Sequence, residues 1–203
     1  MAIRFTFLAL AIATLFSCQA IIRHHFGIKN PDIEKEKTVI KILEKNGIKN
    51  NHFVQKEKID DAYIGSFPKI YIYDRNGYQV MLYNCYEMIE ENLRALADTI
   101  PDKLSDERLR DLFVQETIQT EGNDLPSKGQ YDYEVFFYWS VWLGKFNLKK
   151  LRTAQKSIDA INQASNKKLI LIPVNFDFIE EAGWTEESAE AELKLVSAAN
   201  KKQ

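Results

Sequence analysis

"VFFYWSVWLGKFNLKKL", residues 135–151, is the stretch on which the fold turns. It continues from Tyr133-Glu134 as a largely apolar run to Ser140, the signature of a strand buried on both faces. A helix follows, from about Asn147 to Ala164, with Leu148, Leu151, Ile158 and Ile161 on one side. "KLILIPVNFDF", residues 168–178, is a second buried strand, and Thr185 caps a last helix reaching about Ala199. Strand, helix and strand in that order imply parallel pairing across a crossover. Two strands are too few for a stable sheet, so the first half of the chain must contribute more.

Working back towards the N-terminus, "EGNDLPSKGQ" at 121–130 is dense in turn formers and makes the best internal loop. Ser105 to Thr120 reads as a helix with Leu109, Leu112 and Phe113 on its apolar side. Before it, Cys85, Ile89, Leu93, Leu96 and Ile100 recur at helical spacing, and Pro101 ends the run. Ile70–Tyr73 and Tyr78–Tyr83 flank Asp74-Arg75-Asn76-Gly77, a strong hairpin pattern. Asn30-Pro31-Asp32 reads as a helix start, with apolar Ile33, Ile40 and Leu43 and a stop at Asn46-Gly47. Residues 46–69 otherwise show mixed polarity.

The 203 residues carry 27 Lys and Arg against 29 Asp and Glu, a formal charge of -2. Lys149, Lys150 and Arg152, like Lys201 and Lys202, read as short clusters on a solvated face, and no nucleic-acid partner is implied. Arg4 precedes an apolar run from Phe5 to Phe16, too short for a comfortable span but suited to a signal sequence. Leu15-Phe16-Ser17-Cys18 resembles a bacterial lipobox, although Phe16 is bulkier than usual there. The resemblance implies removal of residues 1–17, lipidation (palmitate or a similar acyl chain) of Cys18, and a membrane anchor. A simple transmembrane anchor or a signal cut elsewhere is the competing expectation. Residues 18–29 then form a tether, and 30–203 one domain facing the periplasm, from either membrane of the envelope. Arg23-His24-His25 fits a solvated linker better than a metal site, because adjacent histidines in regular structure cannot both face one ion.

Residues 133–177 resemble thioredoxin-like proteins. Trp142 stands where that family's motif tryptophan stands, and Leu143 and Phe146 occupy the two cysteine positions, with Gly144 and Lys145 between them. The family's proline before a hairpin and closing helix is matched by Pro68 and residues 69–80, but upstream of the strand-turn-helix unit rather than downstream. The resemblance implies an α/β fold with a central mixed sheet flanked by helices, circularly permuted so that hairpin and helix come first. The alternative is a separate α/β unit over residues 30–100.

Thiol exchange needs a thiolate at a helix start and a second thiol one turn away, and leucine and phenylalanine supply neither. Trp139, Trp142, Leu143, Phe146 and Pro68 remain as a candidate apolar binding patch for a protein or peptide. The same residues also read as simple corner packing, since buried aromatics are commoner than binding hot spots. Cys85 is the alternative reactive thiol, for a peroxidase or mixed-disulfide enzyme, but it shares a stripe with Ile89 and Leu93 and reads better as a small buried hydrophobe. Adjacent acids such as Asp60-Asp61, Glu90-Glu91, Glu180-Glu181 and Glu186-Glu187 diverge on a helix and make no paired acid–base site. No cofactor and no metal is implied. The expected protein is a membrane-anchored, redox-inactive thioredoxin-like lipoprotein that binds without catalysing. A Cys85 enzyme and a structural accessory subunit of an envelope complex stay open.

Overall fold

Two almost wholly buried seven-residue strands dictate the architecture. Tyr133–Trp139 and Leu169–Asn175 pair in parallel over their whole length, from Tyr133 opposite Leu169 to Trp139 opposite Asn175. The computed structural model describes residues 24–48, 51–59, 69–83, 88–119 and 125–200. In chain order the strands are β1 (Ile33–Glu34), β2 (His52–Val54), β3 (Ile70–Asp74), β4 (Gln79–Tyr83), β5 (Ile118–Gln119), β6 (Tyr133–Trp139), β7 (Leu169–Asn175) and β8 (Phe178–Ile179). The helices are α1 (Glu36–Lys45), α2 (Ile89–Asp98), α3 (Arg110–Thr117), α4 (Gly144–Ala164) and α5 (Glu186–Asn200).

A six-stranded mixed sheet runs in the order β4-β3-β6-β7-β2-β5. The hairpin β3–β4 joins antiparallel to β6, from Ile70 opposite Phe137 to Asp74 opposite Tyr133. On the other side β2 runs parallel to β7, and β5 closes that edge antiparallel to β2. Among the described residues, 30–100 form no separate sheet of their own: β3–β4 and β2 flank β6 and β7. β1 and β8 make a separate parallel pair.

Alternation along β6 splits the core in two. Val135, Phe137 and Trp139 join Leu169, Leu171, Ile70 and Ile72 under Leu151, Ala154 and Ile158 of α4, Leu93 and Leu96 of α2, and Val39 and Leu43 of α1. Phe136 and Tyr138 join Ile172, Val174, Phe176 and Phe178 under Trp184, and Ala189 and Val196 of α5, with Phe113 of α3 packed alongside. The result is an α/β sheet with helices on both faces.

Several boundaries differ from the sequence expectation. Asn30-Pro31-Asp32 does not begin a helix: the Asp32 carboxylate accepts the Ile33 amide at 2.8 Å, Ile33–Glu34 pair with Phe178–Ile179, and α1 starts at Glu36. α2 ends at Asp98 and leaves Ile100 85% exposed, outside the core. α3 is confined to Arg110–Thr117 because Ile118 turns into the sheet, and Leu112 faces solvent. α4 begins at Gly144, three residues earlier than the apolar spacing suggested. Thr185 does cap α5: its Oγ1 accepts the Ser188 amide at 3.2 Å, and Ser188 Oγ accepts the Thr185 amide at 2.9 Å.

One buried ion pair ties α3 to the sheet. Arg110 Nε donates to Glu134 Oε2 at 2.8 Å and Nη2 to Glu134 Oε1 at 3.3 Å, while Nη2 also reaches the Pro126 carbonyl at 2.8 Å. Asp111 accepts from Arg110 and from Lys128, extending the network to the surface. Burial pushes the Glu134 carboxyl up, against the guanidinium that holds it down. Arg110→Met leaves Glu134 uncompensated and is expected to cost about 3–5 kcal/mol in urea unfolding. Adding Glu134→Leu should recover most of that loss; equal costs for single and double variants would show the pair is not what matters.

Candidate functional site

β6 and β7 end side by side, the place where open parallel sheets commonly present ligand sites. Ser140 follows β6 and is fully buried, residues 141–143 turn, and α4 begins at Gly144. Asp177, just past the end of β7, organises this turn. Its Oδ2 accepts the Val141 amide at 2.8 Å and Asn175 Nδ2 at 2.6 Å, and Asn175 Oδ1 accepts the Asp177 amide at 3.1 Å. The Phe176 amide donates to the Trp139 carbonyl at 3.1 Å, so both strand ends are fastened together. Asn147 Nδ2 donates to the Ser140 carbonyl at 3.4 Å. Asp177 Oδ1 and Ser140 Oγ are buried without a hydrogen-bond partner.

The aromatic corner is packed against a segment from far upstream. The Lys29 amide donates to the Trp142 carbonyl at 2.8 Å. The Phe26 ring meets Phe146 edge-on at 5.2 Å, and the Lys150 ammonium lies 5.8 Å from the Phe146 ring. Gly144, at φ +64°, has the carbonyl oxygens of Phe26 and Gly27 where a Cβ would stand. Only glycine combines that backbone conformation with so close an approach. Residues 24–29, the described part of the expected 18–29 tether, thus lie across the start of α4 as a strap.

The five residues of the expected patch fare differently. Trp139 is completely buried and donates from Nε1 to Asn51 Oδ1 at 2.9 Å, so it is core and touches no partner in the folded state. Trp142 is half-buried, edge-on to Phe176 at 6.1 Å, with its indole nitrogen inside. Leu143 is half-buried at the N-cap of α4, packed against the second core, and Phe146 is half-buried against the first. Pro68 lies outside the described residues, although its neighbour Lys69 accepts the Tyr138 amide at 3.0 Å beside this turn. Cys18 and Cys85 also lie outside the described residues.

Among the described residues no three His, Cys, Asp or Glu side chains are placed to hold a metal ion, and no helix is long and apolar enough to cross a membrane. His52 is the buried histidine, at the start of β2, and burial brings its pKa down to about 4. Asp177 was legible only as the polar end of an apolar strand; the sequence sign of its role is the alternation Asn175-Phe176-Asp177 at that end. Phe26 and the close approach at Gly144 carry no local sequence signal.

Comparison with protein-family models, with curated proteins and with solved structures finds no match for this chain.

Burial raises the Asp177 pKa to about 7, helped by the Glu34 charge and opposed by the amides of Val141 and Trp142 and by Asn175. The folded protein therefore holds this proton over a range in which the unfolded chain has lost it. On this account stability falls as pH rises from about 4 to about 7 and then levels. His52 acts in the opposite sense, because the unfolded chain takes up its proton as pH falls below about 6.5. Asp177→Asn should flatten the upper limb. Relative to wild type, its unfolding free energy should improve between pH 5 and pH 8 by at least about 1.4 kcal/mol, the worth of a tenfold change in proton affinity. A difference independent of pH would contradict this.

Gly144→Ala tests the strap. Exchange of the Lys29 amide, followed by hydrogen–deuterium exchange, should speed at least about tenfold, since a steric cost of about 1–3 kcal/mol falls on the local contact. Unchanged exchange would mean the strap is not held by this approach.

Proposed function

We propose that this chain is a membrane-anchored lipoprotein of the bacterial envelope, facing the periplasm. Its permuted, redox-inactive thioredoxin-like domain binds a protein or peptide without catalysis. The observation that carries this is the position of the hairpin. A permuted arrangement requires the first-half hairpin to join the sheet beside the strand-turn-helix unit, with its closing helix next to the unit's own helix. β3 lies antiparallel to β6, and α2 shares the first core with α4. At the turn, Leu143 and Phe146 stand one helical turn apart in the cysteine positions, and neither forms a thiolate. Trp142, Leu143 and Phe146 keep part of their surface, and an extended segment beside Lys69 would meet them. The anchor reading is carried by Leu15-Phe16-Ser17-Cys18 alone.

A second reading is favoured by the strap. Phe26 and Gly27 already cover Gly144, which suits a structural accessory subunit whose corner is sealed by its own chain. Co-isolation from membranes distinguishes the two. Trp142→Ala should lose the partner that wild type retains, while Cys85→Ser keeps it. An unchanged partner set for Trp142→Ala favours the accessory subunit, and turnover in an insulin-reduction assay would overturn the redox-inactive reading. Intact mass of the membrane-extracted protein should show acyl chains on Cys18; an unmodified cysteine would remove the anchor.

A further inference from the structure

α4 carries cations where helix electrostatics favour anions. Lys145, Lys149, Arg152 and Lys156 recur at spacings of four, three and four, so at about 100° per residue all four fall within one narrow stripe. Each is exposed, and none joins an ion pair among the described residues. Lys150 points to a different side of the helix, over Phe146, and no acid occurs in α4 before Asp159, which accepts from Gln155 at 2.8 Å. The face is thus longer than the short cluster Lys149, Lys150 and Arg152 read from the sequence. Like charges three and four apart oppose helix formation, and cations near a helix N-terminus oppose its dipole. Lys156 shares a groove with Glu90 and Asp98 of α2, but within α4 the stripe's charges repel one another, and an anionic surface relieves that repulsion.

The strap places that stripe beside the chain's route to its anchor. Phe26 and Gly27 lie against Gly144, one residue before Lys145, and Phe26 packs on Phe146. Cys18 lies six residue steps before His24, a reach of at most about 20 Å. The stripe itself runs about 16 Å along the helix. A chain anchored at Cys18 therefore emerges at the start of the basic face, with no slack to hold that face far from the bilayer. α5 lies across the sheet from α4, on the other core.

We propose that the Lys145, Lys149, Arg152 and Lys156 face of α4 lies on the anionic phospholipid surface to which Cys18 anchors the chain, fixing the orientation of the domain on its membrane. This rests on the lipid-anchor reading, and the test separates the two. The wild-type full chain, purified from membranes, is reconstituted into vesicles of phosphatidylcholine alone or with about one-third phosphatidylglycerol. Lysines are then acetylated with a water-soluble ester and read by mass spectrometry, alongside the intact mass. Lys145, Lys149 and Lys156 should be labelled more slowly in the anionic vesicles, by roughly fivefold for a basic side chain held at such a surface. High salt should abolish the difference. Lys168 and Lys194, exposed at the start of β7 and on α5, should not respond. Equal labelling in both vesicles overturns the proposal whether or not Cys18 is acylated. Protection in a chain without acyl groups keeps the basic face as a lipid contact and removes the anchor reading instead. Protection by a short DNA duplex but not by vesicles also overturns the proposal.

Discussion

The parallel pairing of β6 with β7 leaves neither strand a solvent side. All seven residues of β6 are buried, and six of seven in β7. An antiparallel sheet can leave one face to water, but this pair must be covered above, below and on both edges. α4 follows β6 directly and covers one face, and α5 follows β8 and covers the other. The edges and the remaining area have to come from the N-terminal half, which contributes β3–β4 on one side and β2 on the other. The unusual sequence order of the pieces is thus subordinate to one packing requirement.

The same pair concentrates polar atoms at its C-terminal end. Once Trp139 and Asn175 are paired, the chain must leave the sheet in a dry environment, and its freed amides need acceptors. Asp177 supplies one oxygen to Val141 and Asn175 and leaves the other without a donor. A carboxyl in that setting is more comfortable protonated than charged, which explains the direction of its pKa. Polar fastening and apolar cover thus meet at one turn, around Trp142, Leu143 and Phe146.

Long elements with strong periodicity were legible in the sequence: β6, β7, the hairpin at Asn76-Gly77, and most of α2 and α4. Each is specified by its own residues. The short strands were not, because two or three residues carry no period and their state is decided by a distant partner. Ile33–Glu34 follow what looks like a helix cap, yet pairing with Phe178–Ile179 prevails over that local preference. His52-Phe53-Val54 sits in a stretch of mixed polarity and becomes a strand only because β7 offers a free edge. The site divides in the same way. Trp142, Leu143 and Phe146 were visible as an aromatic turn, whereas the strap over Gly144 depends on a contact across more than a hundred residues.

That strap has a mechanical meaning. Ahead of α1, residues 24–34 meet the rest of the protein through the Phe26–Phe146 ring contact, the Lys29–Trp142 hydrogen bond and the two-residue pairing of β1 with β8. These are small contacts arranged in series along the chain. Tension applied from the N-terminus reaches them one after another before it reaches α1 or the six-stranded sheet. These contacts are smaller than the pairings inside the six-stranded sheet, so the segment can give way locally while α1 and the sheet keep their own contacts.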